Sequence, residues 1–452
     1  MRALPIRHER ISFANIAELP EMEVRFSACR FGVEGQYFDI VDFTKKAIDR
    51  WFLPTPRIAA AFELLKTNFP AQPLPYLYSN HEALYNEYFM QPHVAHLTAT
   101  GTLITSFGNK GNGLCVCIVD THSGQARIFP DDFDKKLMLY SSTCDLAKSG
   151  DKWLFARWPF EQTLDVMQGR RWMADCELAQ LDLSTNKCDV LYRLTARDRI
   201  HQVTCSPDGR YIVLAPFHFE LNVPYPSVPI QDDPEGYRRS HEGGMKKGIV
   251  VTIDLVRRCH WQTEIPVPVP AHFEFDPIDP HVFYLSAHNF FDRINTPMAG
   301  MGPMMLEGPG AILKMRIGDG TTEVAGAYSD DQFFRITQHM PFRLGDKTLI
   351  AVTTLPNKLD LLDACNMTLW RRVELFPAPP IDLSKTGNGE CPLYPLSCFS
   401  VDVSRDGRYL VLESAKAFHV YDVVQDHLLG ATVPRSIVPG SRGVGHTRSV
   451  GL

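Results

Sequence analysis

The feature that most constrains the fold of this chain is a repeated segment that joins a polar turn to an apolar strand. The segment CSPDGRYIVLAP (205–216) recurs closely as VSRDGRYLVLES (403–414). Looser copies occupy 97–107, 146–157, 275–287 and 341–352. A polar turn beside a run of β-branched and aromatic residues is typical of a β-hairpin. Repetition of such a unit predicts a repeat architecture.

A second hairpin follows each copy, with an alternating strand and a polar turn that is often led by aspartate. These second hairpins occupy 114–129, 176–192, 248–265, 310–328, 367–377 and 417–430. Two hairpins make a four-stranded antiparallel unit, and six such units follow one another along the chain. Their radial arrangement in a β-propeller removes the exposed long edges of an open sheet. We therefore predict an all-β propeller of seven blades, with six as the alternative, the count depending on the N-terminal strands.

Three further segments are predicted around these blades, which span 91–432. Residues 1–43 contain short strands that close the propeller, either as a seventh blade or with a C-terminal strand. Residues 44–90 show helical apolar spacing, which predicts a helical insertion. The tail, 433–452, is rich in Gly, Ser, Arg and Pro and is predicted to be flexible.

Composition narrows the classes of function and partner. The formal net charge of -6 argues against a nucleic-acid binder. No apolar run is long enough to span a membrane, and the N-terminus lacks the apolar stretch of a signal peptide. The 11 cysteines include no CxxC pair, which favours reduced thiols and a cytoplasmic location.

Two long loops predict where ligands meet the propeller. In a blade, the innermost strand starts at the face to which the loop between the second and third strands returns. The loops 223–247 and 289–310 both open on that face from adjacent blades. Long loops in a compact fold are usually functional or disordered. We expect these two to cover the mouth of the channel.

Histidines recur near the same face. His201, His272 and His339 each precede the first turn of a blade by four or five residues, and His96 lies near this place in the first blade. Neutral imidazoles from neighbouring blades can bind a divalent metal ion. We therefore predict a site for Mn, Fe or Zn made by these four histidines. Single channel histidines that only form hydrogen bonds are the alternative.

The segment HFEFDPIDPHVFYLSAHNFFDRIN (272–295) resembles a blade of the oligogalacturonate lyase family. Members of that family are cytoplasmic seven-bladed propellers. TQHMPFRLGDKTLIAV (337–352) is similar to the next blade of that family, where a metal ligand takes the position of His339. The resemblance covers about 200–415 and implies elimination from a uronate. The family also uses a Gln and two His at the last blade, and the matching stretch 391–410 contains neither residue type.

These observations predict a metal-dependent lyase whose substrate is an acidic small molecule or oligosaccharide. A metal on the carboxylate stabilises an enediolate while a neutral base removes the α proton. The candidate catalytic residues are His218, His241 and His288. The candidate substrate contacts are Tyr237, Arg238, Arg239, Glu242, Lys246 and Lys247.

Two alternatives stay open. Four histidines around an iron on the propeller axis would resemble carotenoid-cleaving oxygenases, and the apolar loop NTPMAGMGPMM would then suit an apolar substrate. A propeller that only presents a face to a protein partner is the non-enzymatic alternative, because fold alone does not decide function.

Overall fold

The computed structural model describes the strands of the protein and the turns at one end of them. The described residues are 6–32, 35–54, 95–98, 101–108, 114–129, 137–139, 141–143, 145–146, 152–159, 174–196, 200–216, 248–266, 269–288, 310–330, 336–354, 358–375, 398–414, 417–434 and 448–449. Within them, the chain forms strands, turns and irregular segments, and no helix suited to crossing a membrane occurs there.

The strands of this part of the chain form seven sheets, antiparallel except for one parallel pair in blade 3, and one sheet is built from the N-terminal residues. This N-terminal sheet contains β1 (Arg7–Ser12), β2 (Arg25–Gly32), β3 (Gly35–Asp42) and β4 (Ala47–Pro54). Its strand order is β1-β4-β3-β2, and the C-terminal β31 (Arg448–Ser449) pairs with β2.

The other six sheets are propeller blades. Blade 1 contains β5 (Ala95–Leu97), β6 (Thr102–Gly108), β7 (Leu114–Asp120) and β8 (Gln125–Phe129). Blade 2 contains β9 (Leu137–Leu139), β11 (Asp145–Leu146), β12 (Lys152–Pro159), β13 (Ala174–Asp182) and β14 (Cys188–Ala196). Blade 3 contains β10 (Ser141–Thr143), β15 (Ile200–Cys205), β16 (Tyr211–Pro216), β17 (Gly248–Asp254) and β18 (Cys259–Ile265).

The last three blades are four-stranded meanders. Blade 4 contains β19 (Val269–Phe275), β20 (Val282–His288), β21 (Ala311–Ile317) and β22 (Thr322–Ser329). Blade 5 contains β23 (Ile336–Leu344), β24 (Lys347–Thr354), β25 (Lys358–Asp363) and β26 (Thr368–Glu374). Blade 6 contains β27 (Cys398–Val403), β28 (Tyr409–Ser414), β29 (Ala417–Asp422) and β30 (His427–Pro434).

Buried apolar side chains fill the seams between neighbouring sheets. Phe273 and Phe283 of blade 4 pack with Val213 of blade 3, in a cluster that spans both blades. Phe26 of the N-terminal sheet meets Phe418 of blade 6 with ring centroids 5.4 Å apart. Each strand alternates its side chains between the two neighbouring blades, so both faces of a blade are apolar. The all-β propeller predicted from the repeats is confirmed.

Aspartate turns close one end of the blades, which we call the lower end. Asp254 accepts hydrogen bonds from the backbone N–H groups of Val256 and Arg257, both at 3.0 Å. Arg258, four residues after this aspartate, has a φ of 56° and completes the turn. The same turn starts at Asp42, Asp120, Asp182, Asp363 and Asp422. The recurrent aspartates are therefore turn residues, because a carboxylate that accepts two N–H bonds replaces backbone partners there.

The arginine of the repeated DGRY segment ties the first hairpin of a blade to the second. Arg210 donates to Asp254 at 2.7 and 3.1 Å, and Arg408 donates to Asp422 at 2.8 and 3.0 Å. Burial raises the pKa of the Asp422 carboxyl, but hydrogen bonds from Arg408 and the turn outweigh it and hold that pKa below its ordinary value. The strongest repeat in the sequence thus has a structural role at the lower end.

The predicted helix is wrong where the structure describes its residues. Residues 47–54 form β4, which lies between β1 and β3. A strand with neighbours on both sides and two packed faces buries consecutive residues, here Trp51 and Phe52, and such a run imitates helical spacing. Arg50 in this strand makes a buried pair with Asp39, with nitrogen–oxygen distances of 2.8 and 2.9 Å. The rest of the predicted insertion, 55–90, lies outside the described residues.

The predicted flexible tail includes two stretches of strand. Val433 and Pro434 complete β30, and Arg448–Ser449 form β31 against Phe26 and Ser27. The remaining tail residues lie outside the described part of the chain.

Candidate functional site

The end opposite the aspartate turns, here called the upper end, carries the long connections. In blade 3, β16 ends at Pro216 and β17 begins at Gly248; in blade 4, β20 ends at His288 and β21 begins at Ala311. Both connections therefore leave and return at the upper end of adjacent blades. Several predicted site residues in them lie outside the described residues and stay predictions: His218, Tyr237, Arg238, Arg239, His241, Glu242, Lys246 and Lys247.

The innermost strands of blades 3 to 6 share a bulge near the upper end. The pairing with the second strand shifts by one residue before Val203, His272, Gln338 and Ser400. A β-bulge places an extra residue on one strand and changes which face the following side chains occupy. Equivalent positions in these blades must therefore be counted from the bulge.

A glutamine after the bulge links each of two blades to the next blade. Gln202 donates from Nε2 to the Phe273 carbonyl at 2.6 Å and accepts from the Phe273 N–H at 2.8 Å. Gln338 accepts from the N–H of Val401 at 3.1 Å. Both glutamines are buried. His272 occupies the corresponding position in blade 4, where it is also buried.

Counted from the bulge, His339 lies one residue further along β23 than His272 lies along β19. The corresponding positions in blades 3, 4 and 6 are Val203, Phe273 and Val401, which are all core residues. His339 is fully buried, and its Nε2–H donates to the carbonyl oxygen of Tyr284 at 3.0 Å. A carbonyl can only accept, so this nitrogen carries the proton and offers no lone pair to a metal. His339 as a metal ligand stays a prediction, and this bond leaves only Nδ1 of the ring for that role.

The predicted metal ligands do not share one level of the channel. Thr98 caps the first turn of blade 1, and Asp276 caps the first turn of blade 4. His96 precedes its capping residue by two positions, whereas His272 precedes its capping residue by four. His201 takes the bulge position itself, and His339 lies two positions beyond the bulge of its own strand. The four backbones thus occupy four successive register positions, about 3.3 Å apart along a strand. The metal site that these four histidines would form, in either enzymatic alternative, stays a prediction.

An additional strand lies beside His201. β10 runs parallel to β15, with Ser141 opposite Ile200 and Thr143 opposite Gln202. The flanking β9 and β11 pair instead with β12 of blade 2. The inner edge of blade 3 at His201 is therefore covered by a strand, and its backbone does not face an open channel.

The seam between blades 4 and 5 contains two of the predicted histidines. His272 pairs with Ser286, and Ser286 pairs with Ile312, whose side chain packs against Val352 of blade 5. His339 pairs with Val352 and thus faces blade 4. The structure therefore brings His272 and His339 to the same seam. His288 ends β20, two residues beyond Ser286.

An ion-pair network borders this seam and was not found by sequence reasoning. Arg372 makes two contacts of 2.8 Å with the buried carboxylate of Asp360 and one of 3.2 Å with Asp330. The Tyr328 hydroxyl donates to Asp330 at 3.1 Å, and burial together with this carboxylate raises the pKa of Tyr328 to about 12. No motif marks these residues, because their strand spacing matches that of ordinary exposed charges.

The described residues contain no group of three or more His, Cys, Asp or Glu side chains arranged to hold a metal ion. Among them, Nε2 of His339 is occupied as a hydrogen-bond donor to the Tyr284 carbonyl. Cys259 and Cys365 are exposed and carry free thiols.

The sheets and their radial packing define the chain as a β-propeller. Neither the family models nor the curated proteins gave a match to it. Among solved structures, it is similar to hydrazine synthase of Kuenenia stuttgartiensis, at 12% identity and a TM-score of 0.47 over 76% of this chain and 86% of that one. It is also similar to a functionally unknown protein from Desulfotomaculum acetoxidans DSM 771, at 8% identity and a TM-score of 0.49 over 94% and 98% of the two chains. The fold assignment rests on the sheets themselves.

Proposed function

We propose that the protein is an enzyme that acts on an acidic, uronate-like small molecule or oligosaccharide at the upper end of blades 3 to 5. The observation that carries the proposal is the meeting of His272 and His339 at one seam, next to His288 and the start of the 289–309 connection. The basic residues of 237–247 would supply charge for acidic groups from the neighbouring blade.

The reaction proposed is an elimination. A neutral imidazole removes the proton α to the carboxylate, the electron pair forms a carbon–carbon double bond, and the oxygen on the β carbon leaves with a proton. His288, His218 and His241 are the proposed bases. A divalent metal ion of the Mn, Fe or Zn type is part of the proposal, with His201, His272, His339 and His96 as its candidate ligands. Such an ion would stabilise the negative charge on the substrate carboxylate.

His272→Gln tests this proposal with little risk to the fold, because Gln202 and Gln338 fill the same position in blades 3 and 5. We expect the variant to fold and to lose formation of unsaturated uronate from oligogalacturonate, followed by its ultraviolet absorbance. The matched control is His281→Gln at the lower end of blade 4. Metal analysis of the purified protein tests the cofactor separately. Equal activity of His272→Gln and wild type would contradict the proposed site.

A non-catalytic propeller that binds a protein partner is the second candidate. It is favoured by the structural roles of His339, which bonds the Tyr284 carbonyl, and of β10, which covers blade 3. Absence of uronate turnover and of bound metal in the wild-type protein, with a partner retained by the upper face, would support it over the enzyme.

We also propose that the N-terminal sheet is the seventh blade. It packs against blade 6 through Phe26 and Phe418, and its β3–β4 connection repeats the aspartate turn at Asp42. On the other side, Trp51 approaches Gly124 of blade 1. With β31 as the innermost strand, the order β31-β2-β3-β4 matches that of a blade. Closure by strands from both chain ends would then join blade 6 to blade 1.

A further inference from the structure

Thr354 ends β24 at the upper end of the seam between blades 4 and 5. Its side chain is 1% exposed. Its Oγ1 has no hydrogen-bond partner among the residues that the structure describes. The preceding Thr353 differs, because its hydroxyl donates to the Gln338 carbonyl at 3.2 Å. Thr353 therefore has a structural bond and Thr354 does not.

The register places Thr354 on the face that meets blade 4. Val352, two residues earlier, packs in the cluster that contains Tyr284 and Ile312 of blade 4. Residues two apart on a strand share a face, so Thr354 faces the same seam. Lys358 is its direct partner across β25 and is partly buried. The next partner outward is Glu374, which is exposed.

A buried hydroxyl without a partner destabilises a fold, and valine would fill nearly the same volume without that penalty. A buried polar group without a partner in a native protein calls for an explanation, and one explanation is a functional partner that is absent from the structure. A hydroxyl beside a lysine at an upper seam is suited to a carboxylate, which accepts both the O–H bond and the charge-assisted N–H bond.

We infer that Thr354 and Lys358 bind the carboxylate of the acidic ligand, an inference that rests on the proposed function. The Thr354 hydroxyl donates to one carboxylate oxygen, and the Lys358 ammonium interacts with the other. The carboxyl end of the ligand then lies at the rim of the seam, and its reacting carbon lies toward His288 and His272.

Digalacturonate is the probe, with its Kd measured by calorimetry and the Tm of each protein measured without ligand. We expect Thr354→Val to raise the Tm, because the unpaired hydroxyl is removed, and to weaken digalacturonate binding about tenfold. Thr354→Ser keeps the hydroxyl and should retain binding. Lys358→Met should weaken binding. Lys347→Met, at the lower end of β24, should leave it unchanged.

The outcomes separate this inference from the proposed function. Wild-type protein that binds no digalacturonate overturns the proposed function and this inference together. Wild-type binding that Thr354→Val and Lys358→Met both leave unchanged overturns the inference alone. If Thr354→Val fails to fold, Thr354→Ser and Lys358→Met carry the test, and a Lys358→Met protein that binds as tightly as wild type refutes the assigned pair.

Discussion

Replacing Gln202 by leucine should destabilise the protein by removing the link between blades 3 and 4. The Gln202 amide makes two hydrogen bonds, of 2.6 and 2.8 Å, to the carbonyl and N–H of Phe273. Phe273 is fully buried. Leucine has a similar length but neither donor nor acceptor. The substitution therefore leaves two backbone groups of one residue without their partner.

The size of the effect follows from these two groups. A buried backbone group that loses its partner costs about 1–3 kcal/mol, and the apolar leucine recovers part of this by burial. We expect a net loss of about 2–4 kcal/mol in the free energy of unfolding for Gln202→Leu. Gln338→Leu removes one bond to the Val401 N–H, so its expected loss is about 1–2 kcal/mol.

Denaturant unfolding at neutral pH, followed by tryptophan fluorescence, measures both losses. The control is Gln125→Leu at the exposed start of β8. The reasoning is refuted if Gln202→Leu unfolds within about 0.5 kcal/mol of this control, since surface changes fall in that range. A larger loss for Gln338→Leu than for Gln202→Leu would refute it equally.

Three further predictions address the lower end and the closure of the ring. Gly407→Ala should destabilise more than Gly320→Ala: both glycines have a φ of 73°, but a Cβ at 407 would overlap the Arg343 carbonyl oxygen, whereas at 320 it meets no atom. Their unfolding midpoints measure the difference, and equal midpoints would exclude the contact with blade 5. Asp422→Asn should reduce the loss of stability at acid pH. The pKa of Asp422 is lowered in the folded state, so its carboxylate stabilises the fold above about pH 4 and loses this contribution as the pH falls through the folded pKa. Thermal unfolding between neutral pH and about pH 3 checks this, with an unchanged acid limb as the contrary result. Deleting 448–452 removes β31 from β2 and should lower the Tm, whereas an unchanged Tm would argue against closure of the N-terminal sheet by this strand.

The repeat predicted the propeller because its residues have local structural reasons to recur. Asp254 and Asp422 cap the same turn, and Arg210 and Arg408 bind them in the same way. Such interactions lie within one blade, so they appear in the sequence at short spacing. The helical insertion predicted over 44–90 is wrong in its described part, 44–54, for a non-local reason: Trp51 and Phe52 are both buried because β1 and β3 flank their strand.

The histidine site was harder to predict because its geometry depends on bulges and on turn length. Blade 5 closes its first hairpin directly from Leu344 to Lys347, while blade 3 pairs Cys205 with Ile212 around a longer turn. Counting residues back from the turn therefore compares different levels of the two strands. His339 looked equivalent to His201 by this count and lies two positions away from it when the strands are aligned at the bulge.

Aligned in this way, the blades separate residues that hold the propeller together from residues that depart from its pattern. Glutamine follows the bulge in blades 3 and 5, and an apolar residue comes next in blades 3, 4 and 6. The seam between blades 4 and 5 breaks the pattern on both sides, with His272 in the place of the glutamine and His339 in the place of the apolar residue. Packing alone does not require either change, because Gln and Val serve at the same positions in neighbouring blades. These two departures meet at one seam, beside the unpartnered Thr354 hydroxyl, and the proposed ligand site rests on them.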